Sequence, residues 1–350
     1  MGVNNAMSKI EIYELERREE KEWDAYVLKH PNSTFFHQMG WKRVVERTYK
    51  HKPIYLIARE EGEVKGVLPL FFMRSLIFGK KLVSVPFAPY GGVCADDEIA
   101  EKMLIEEAKR ITDEYDVDYL ELRQFNKNDV EFVTNDAYVT LILKLNRNYE
   151  VIWNTFRKSM RRYVRKAVEN DLKVTINSKN LKDFYNIYTN AMRNLGTPAH
   201  SAAFFRNILI EFPENSNIAT IEYKDRVIST IFLLYFKDTV IYGWGASLRE
   251  YLELSPNYLL FWEIIKYSCE KGFNFFDFGR SLPDTGVFLF KKGWGAVPKQ
   301  LYYQYYLNNI SKMPDTSQLN PRRQKFARVW KKLPLKLTTA IGPLIRRGTP

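Results

Sequence analysis

The sequence predicts an α+β fold with mixed sheets, an α/β mixed-sheet unit repeated twice in tandem. Three observations carry this. The chain has 350 residues, more than one ordinary core and suited to two domains of about 150 residues each. Two apolar hairpin patterns recur in the two halves. Helical periodicity lies before and after each hairpin, the order expected of an α+β domain.

Taken in order, the first half offers helical stretches at 19–29 and 40–50. A hairpin follows, with runs at 53–59 and 64–72 about a Glu61-Gly62 turn. Pro89-Tyr90-Gly91-Gly92-Val93 reads as an aromatic-glycine strand, followed by a helix over 98–115 and a strand over 119–123. The second half repeats this order. Helices are expected at 181–195 and 201–211, then runs at 217–223 and 227–235 about Lys224-Asp225. The segment Ile241-Tyr242-Gly243-Trp244-Gly245 matches the aromatic-glycine strand, ahead of a helix over 257–271 and a strand over 275–280. Between the halves, Trp153, Phe156, Met160, Val164 and Ala167 form the apolar stripe of one amphipathic helix. The expected domains are 1–147 and 148–308, with a tail at 309–350.

Hydrophobic content of 45% and aromatic content of 15% mark a globular chain. No apolar run is long enough to span a bilayer. The first seven residues lack a signal-peptide core, and Ala6 breaks the myristoylation pattern. Cys94 and Cys269 are too few for a disulfide framework and lack zinc-site spacing. A reducing, cytoplasmic compartment is the expectation, with no metal and no tightly bound cofactor. The net charge of +12 is concentrated: residues 321–350 hold nine Lys/Arg and no Asp/Glu, and 157–166 hold six more. Such patches suit nucleic acid, anionic lipid or phosphorylated substrates.

At this point the residues resemble a known family. The order helix, hairpin, strand, helix, strand is that of the acetyltransferase (GNAT) superfamily, and two such units in tandem resemble the Fem family of peptidoglycan-bridge enzymes. The basic stretch Arg157-Lys158-Ser159-Met160-Arg161-Arg162-Tyr163 looks like the helix that opens the second Fem domain. Phe290-Lys291-Lys292-Gly293-Trp294-Gly295 is similar to the late family motif. Ser33-Thr34-Phe35-Phe36-His37-Gln38 and Val85-Pro86-Phe87-Ala88-Pro89-Tyr90 resemble the FemAB-like branch that accompanies exopolysaccharide and exosortase clusters. The chain departs from some relatives in lacking heptads between Asp171 and Leu254 for a coiled-coil arm. It also lacks a glycine-rich turn before the helix at 257–271, which disfavours ordinary acyl-CoA binding.

The resemblance implies transfer of an acyl or aminoacyl group, from aminoacyl-tRNA or acyl-CoA, to an amine on a cell-envelope or polysaccharide precursor. Lys291, Lys292 and Arg280 are the expected phosphate or oxyanion contacts in that reaction, with Arg161 and Arg165 supporting them. By residue type alone, Lys291 and Lys292 read first as a solvated basic turn, and Arg280 equally suits an ion pair with Asp277 or Asp284. Tyr242, Gly243, Trp244, Trp294 and His37 are candidate substrate contacts; strand bulges, core packing and capping are the structural readings of the same residues. Arg123, at the repeated strand end, reads as structural.

The tail mixes Phe326, Val329, Trp330, Leu337 and Leu344 with its cations, and Pro334 and Pro343 are expected to interrupt it. It suits either docking on an anionic membrane face or packing on the protein itself. A monomer is expected. The alternatives are an acyl-CoA-dependent N-acyltransferase of a sugar amine, and a non-catalytic module that binds RNA or anionic lipid.

Overall fold

The computed structural model describes residues 10–75, 77–315 and 320–350; the readings of Met1–Met7 lie outside them. Two compact units are present. The first runs through Asp136 and takes back 301–313, and the second holds Ala137–Gln300 and the tail.

In chain order the first unit begins with β1 (Glu11–Glu14), α1 (Glu20–Lys29) and α2 (Met39–Tyr49). Next come the expected hairpin, β2 (Lys52–Glu60) and β3 (Glu63–Ser75), then β4 (Gly79–Ser84) and the short β5 (Cys94–Ala95). The unit continues with α3 (Glu98–Glu114), β6 (Tyr119–Gln124) and β7 (Val133–Asn135). The Asp97 side chain caps α3 by accepting from the Ile99 and Ala100 N–H groups.

The second unit opens with β8 (Val139–Lys144), α4 (Tyr149–Thr155), α5 (Lys158–Val168) and β9 (Lys173–Ser178). After α6 (Leu181–Leu195) and α7 (Ala202–Glu211) come β10 (Ser216–Tyr223), β11 (Arg226–Phe236) and β12 (Thr239–Ser247). The remaining elements of its sheet region are α8 (Pro256–Glu270), β13 (Phe275–Ser281), α9 (Gly286–Gly293) and β14 (Val297–Gln300). Strand β15 (Tyr302–Leu307) belongs to the first unit, and α10 (Pro321–Trp330) and α11 (Leu335–Arg347) close the second.

The repeat is real in three dimensions. Both hairpins turn on two residues with positive φ: Glu61 (50°) and Gly62 (85°) in one, Lys224 (47°) and Asp225 (61°) in the other. Two such residues match the right-handed strand twist, which fixes the pairing register. The sheet orders are β1-β2-β3-β4-β6-β15-β7 and β14-β8-β13-β12-β11-β10-β9, with β5 paired to β3. In each unit a helical crossover, α3 or α8, returns the chain parallel to its predecessor, pairing β4 with β6 and β12 with β13. Each helix buries an apolar stripe against its sheet. In the first unit Leu104, Ile105 and Ala108 join Leu56, Leu68, Leu70 and Leu120; in the second Leu260, Ile264 and Ile265 join Ile231, Leu233 and Phe276.

Four expectations are corrected. The counterpart of β12 is β4, and Pro89–Val93 is not a strand. Two prolines in 86–89 remove ladder donors, and Val85 and Phe87 take positive φ (51° and 67°), which ends the extended run. The stripe over 153–167 forms two helices, because Phe156 turns to ψ 145° and its ring packs among Trp153, Trp262 and Trp294. The unit boundaries differ from 147 and 308: β8 pairs with β13, and β15 pairs with β6, so each sheet takes a strand from the other half of the chain.

The fourth concerns the tail. Pro334 does stop a helix, but α11 runs through Pro343. Both tail helices pack within the second unit. Trp330 is buried, and Arg193 Nε donates to the Leu333 carbonyl at 2.7 Å. Gly196, at φ +79°, lies so close to Ala327 that a Cβ would stand 2.6 Å from the alanine methyl. Arg346 Nε donates to His200 Nε2 at 3.2 Å; burial first, then this guanidinium, holds His200 well below its ordinary pKa.

Candidate active site

The second sheet opens at its centre. β12 and β13 pair only at Thr239–Phe275, Val240–Phe276 and Ile241–Asp277, although both strands continue for several residues. Each breaks register at that level. On β12 the break against β11 falls between Phe232–Trp244 and Leu233–Tyr242, so Gly243 is the bulged residue. On β13 the break against β8 falls between Asp277 and Arg280. There Gly279 takes φ +70°, a conformation suited to glycine, and Asp277 Oδ1 accepts from its N–H at 2.7 Å and from Thr140 Oγ1 at 2.5 Å. Two neighbouring bulges drive the parallel strands apart and expose backbone groups that a regular ladder would consume.

Lys291 fills this opening from α9. It is 5% exposed, so the expected basic turn is instead a helix with one buried and one outward lysine. Its Nζ donates to the Gly279 carbonyl at 2.9 Å and the Arg280 carbonyl at 3.2 Å, and stands 5.9 Å from the centre of the Tyr242 ring. An ammonium has three donors, so one direction is left for a ligand. Burial pushes the Lys291 pKa down to about 8, Arg280 adds to that, and Asp277 opposes it. Burial likewise pushes the Tyr242 phenol up to about 12, and its hydroxyl donates to the Gly245 carbonyl at 3.4 Å. The site thus offers a partly desolvated cation where two strands part, a setting able to stabilise a developing oxyanion.

The other expected residues divide. Arg280 is exposed at the rim, its guanidinium 4.6 Å from the centre of the Tyr138 ring, a partner not among those expected. Lys292 is exposed over Phe288 at 5.8 Å and lacks the burial that sets Lys291 apart. Arg161 is half-buried, and Arg165 is exposed 5.9 Å over Trp153. Their helix is anchored by Tyr163 stacked on Tyr258 of α8 at 4.5 Å and by the Arg157 N–H on the Gly293 carbonyl at 3.1 Å. This brings a basic face beside the start of α8 and the end of α9.

Three candidates are structural. Trp294 is wholly buried against Phe156 and Phe261, so it is core and no pocket wall. Trp244 packs edge-on to Phe204, Phe205 and Phe232. His37 is buried in the first unit, where Nδ1 accepts from the Thr34 N–H at 3.0 Å and Nε2 reaches the Gly92 carbonyl at 3.0 Å. That is a helix-start cap. Arg123 is structural as expected: buried, 2.7 Å from Glu121, with Nη1 on the Ala88 carbonyl at 2.9 Å.

The start of α8 lacks the glycine-rich turn of a pyrophosphate cradle. Ser255 precedes it at φ +58°, Pro256 removes one N–H, and the Asn257 side chain accepts from Ser247. Among the described residues no group of His, Cys, Asp and Glu is placed to hold a metal. No helix among them is long and apolar enough to cross a membrane.

Comparison with known proteins agrees with this architecture. A family model described as an acetyltransferase (GNAT) domain matches residues 154–292. A lipid II:glycine glycyltransferase of Staphylococcus haemolyticus is 22% identical, over 87% of this chain and 95% of its own length. The crystal structure of FemX superposes with a TM-score of 0.66 at 17% identity, covering 85% of this chain and 98% of that one. A tandem GNAT protein from the clavulanic acid biosynthesis pathway superposes at 0.54 with 10% identity, covering 87% and 100%. Residues 154–292 thus match a GNAT acetyltransferase domain, and the whole chain is similar in sequence to a lipid II:glycine glycyltransferase and in fold to FemX and to a tandem GNAT protein.

Proposed function

We propose that this chain transfers an aminoacyl group from aminoacyl-tRNA to an amine on a cell-envelope precursor. The observation that carries the reading is the buried Lys291 ammonium at the divergence of β12 and β13. The acceptor amine attacks the ester carbonyl, the electron pair moves onto oxygen, and Lys291 stabilises that oxyanion. The carbonyl re-forms as the bond to the tRNA ribose breaks, and the proton lost by the amine ends on the ribose hydroxyl. Arg280, Arg161 and Arg165 supply cations for phosphates of donor or acceptor. The likeness to a glycyltransferase supports an aminoacyl donor, and the absence of a glycine-rich turn before α8 counts against acyl-CoA.

The test is direct. Purified protein is incubated with charged tRNA and an amine-bearing muramyl-peptide precursor, and in parallel with acetyl-CoA. The acceptor should gain the mass of one aminoacyl residue, only with charged tRNA. A gain with acetyl-CoA alone would replace this reading by the N-acyltransferase.

A lipid-linked acceptor would bring the enzyme to an anionic leaflet, and the tail supports docking there. Its nine cations face no acidic residue of their own segment, and Val329, Leu337 and Leu344 are exposed among them. Full-length protein should float with phosphatidylglycerol vesicles, less so at raised salt. The double variant Val329→Asp, Leu344→Asp should lose most of that binding, since both positions are exposed and the packed face around Trp330 is untouched. Equal flotation of the two proteins would remove the tail from the contact.

A further inference from the structure

The second unit carries a cavity of about 540 Å³ that the transfer chemistry does not use. It lies at the other end of β12 and β13, where these strands begin. Lys237 precedes β12 and Phe273 precedes β13, and both line it. Four residues of β13, roughly 13 Å at about 3.3 Å each, separate that end from Gly279.

The lining has a consistent chemistry. Lys179, Lys237 and Lys271 stand against one carboxylate, Glu214, which leaves the cavity cationic. A polar relay crosses its wall. Asn217 donates through Nδ2 to Tyr235 at 2.6 Å and to the Asn177 carbonyl oxygen, and Asn177 Nδ2 donates to the Tyr267 hydroxyl at 3.3 Å. Each phenol receives a bond from an amide, which leaves its own proton to offer. Asn217 is 5% exposed, and its Oδ1 has no partner, an acceptor buried without compensation. The Tyr235 and Phe273 rings are stacked at 5.4 Å.

Local backbone geometry makes this wall. The β9–β10 register slips between Ile218–Ser178 and Thr220–Thr175, which places one extra residue on β9. Asn177 sits in that bulge with φ +68°, a left-handed conformation that asparagine tolerates better than most residues. A bulge re-aims a side chain that strict alternation would send elsewhere. Here it joins Asn177 to Asn217 and Tyr267.

We infer that this cavity is a second binding site, for an anionic saccharide. Amide and phenol groups match sugar hydroxyls, the aromatic wall suits a pyranose face, and the lysines match a carboxylate or phosphate on the ring. The inference goes beyond the transfer reaction, and a binding readout without turnover separates its failure from failure of the proposed function.

The experiment uses the full chain and ligand-observed NMR with calorimetry. Probes are glucuronic acid, glucose 6-phosphate, neutral glucose and inorganic phosphate. One or both anionic sugars should bind at least about tenfold tighter than glucose and than inorganic phosphate. A hexuronate source favours the first probe, and a phosphorylated sugar the second. Asn177→Gly removes the amide while keeping the left-handed backbone, and Lys179→Gln with Lys271→Gln removes two exposed cations. Each should weaken binding at least about tenfold with the thermal midpoint retained. The inference is overturned by absence of binding to either anionic sugar, by inorganic phosphate binding as well as the sugars, or by variants that bind like the parent.

Discussion

Lys291→Met is expected to lower the transfer rate at least about 100-fold, the scale of losing one preorganised oxyanion donor, while leaving the protein folded. The stability side is unusual for a buried polar residue. Burial lowers the Lys291 pKa from 10.5 to about 8, a penalty on the charged form of about 3 kcal/mol at neutral pH. Removing the charge relieves that penalty. It also leaves the Gly279 and Arg280 carbonyls without a donor, at about 1–3 kcal/mol for each that stays unpaired. The terms are of similar size, so the thermal midpoint should move little while activity collapses.

The pH dependence has a defined sign. The native state loses the Lys291 proton near pH 8, whereas the unfolded chain holds it to about 10.5. The penalty is therefore complete below pH 8 and fades between 8 and 10.5, so the parent gains stability relative to Lys291→Met across that window. Activity runs the other way. If the ammonium is the working form, the rate falls as pH rises through about 8. Denaturant titrations and a pH–rate profile check the two halves separately. An active Lys291→Met, or a rate that shows no alkaline loss near 8, would remove Lys291 from the oxyanion role.

Glu121→Ala should be the most damaging single change in the first unit. Glu121 and Arg123 are buried and 2.7 Å apart, and the guanidinium also lies 5.2 Å from the Tyr303 ring. Removing the carboxylate strands a buried cation, at about 3–5 kcal/mol. Denaturant unfolding should show this as a lower midpoint, with the catalytic rate of the remaining folded protein unchanged. A loss below about 1 kcal/mol would mean that solvent reaches Arg123 in the native state.

The contrast between Arg123 and Arg280 shows how far the duplication reads through to function. Both end the parallel strand that follows a crossover helix, and the sequence alignment of the halves pairs them. Glu121 lies two residues before Arg123, on the same strand face, and the two form a buried ion pair. Arg280 has Phe278 in that place, with Gly279 between, and the guanidinium stays at the surface. Similar local reasoning reached the hairpins, whose turn residues announce themselves, and α3 and α8, whose apolar periods do.

Lys291 and Lys292 were not separable in the same way. Adjacent lysines near a glycine are one basic feature in sequence, and only the rotation of α9, about 100° per residue, turns one inward and one outward. Trp294 and His37 illustrate the converse. Their residue types suggest contacts with a ligand, yet packing among rings and capping of a helix start consumed them.

The sequence by itself determined the two-unit α+β plan and the strands and helices with strong periods. These are properties of short stretches, where propensity and pattern act over a few residues. Tertiary structure alone decided which strands complete each sheet, with β8 and β15 each belonging to the other unit from the one expected. It also decided where β12 and β13 part and which lysine enters the gap. Those outcomes depend on burial and backbone pairing between segments far apart in the chain, as when Gln124 meets Gln304 across 180 residues, and no local pattern encodes a partner at that distance.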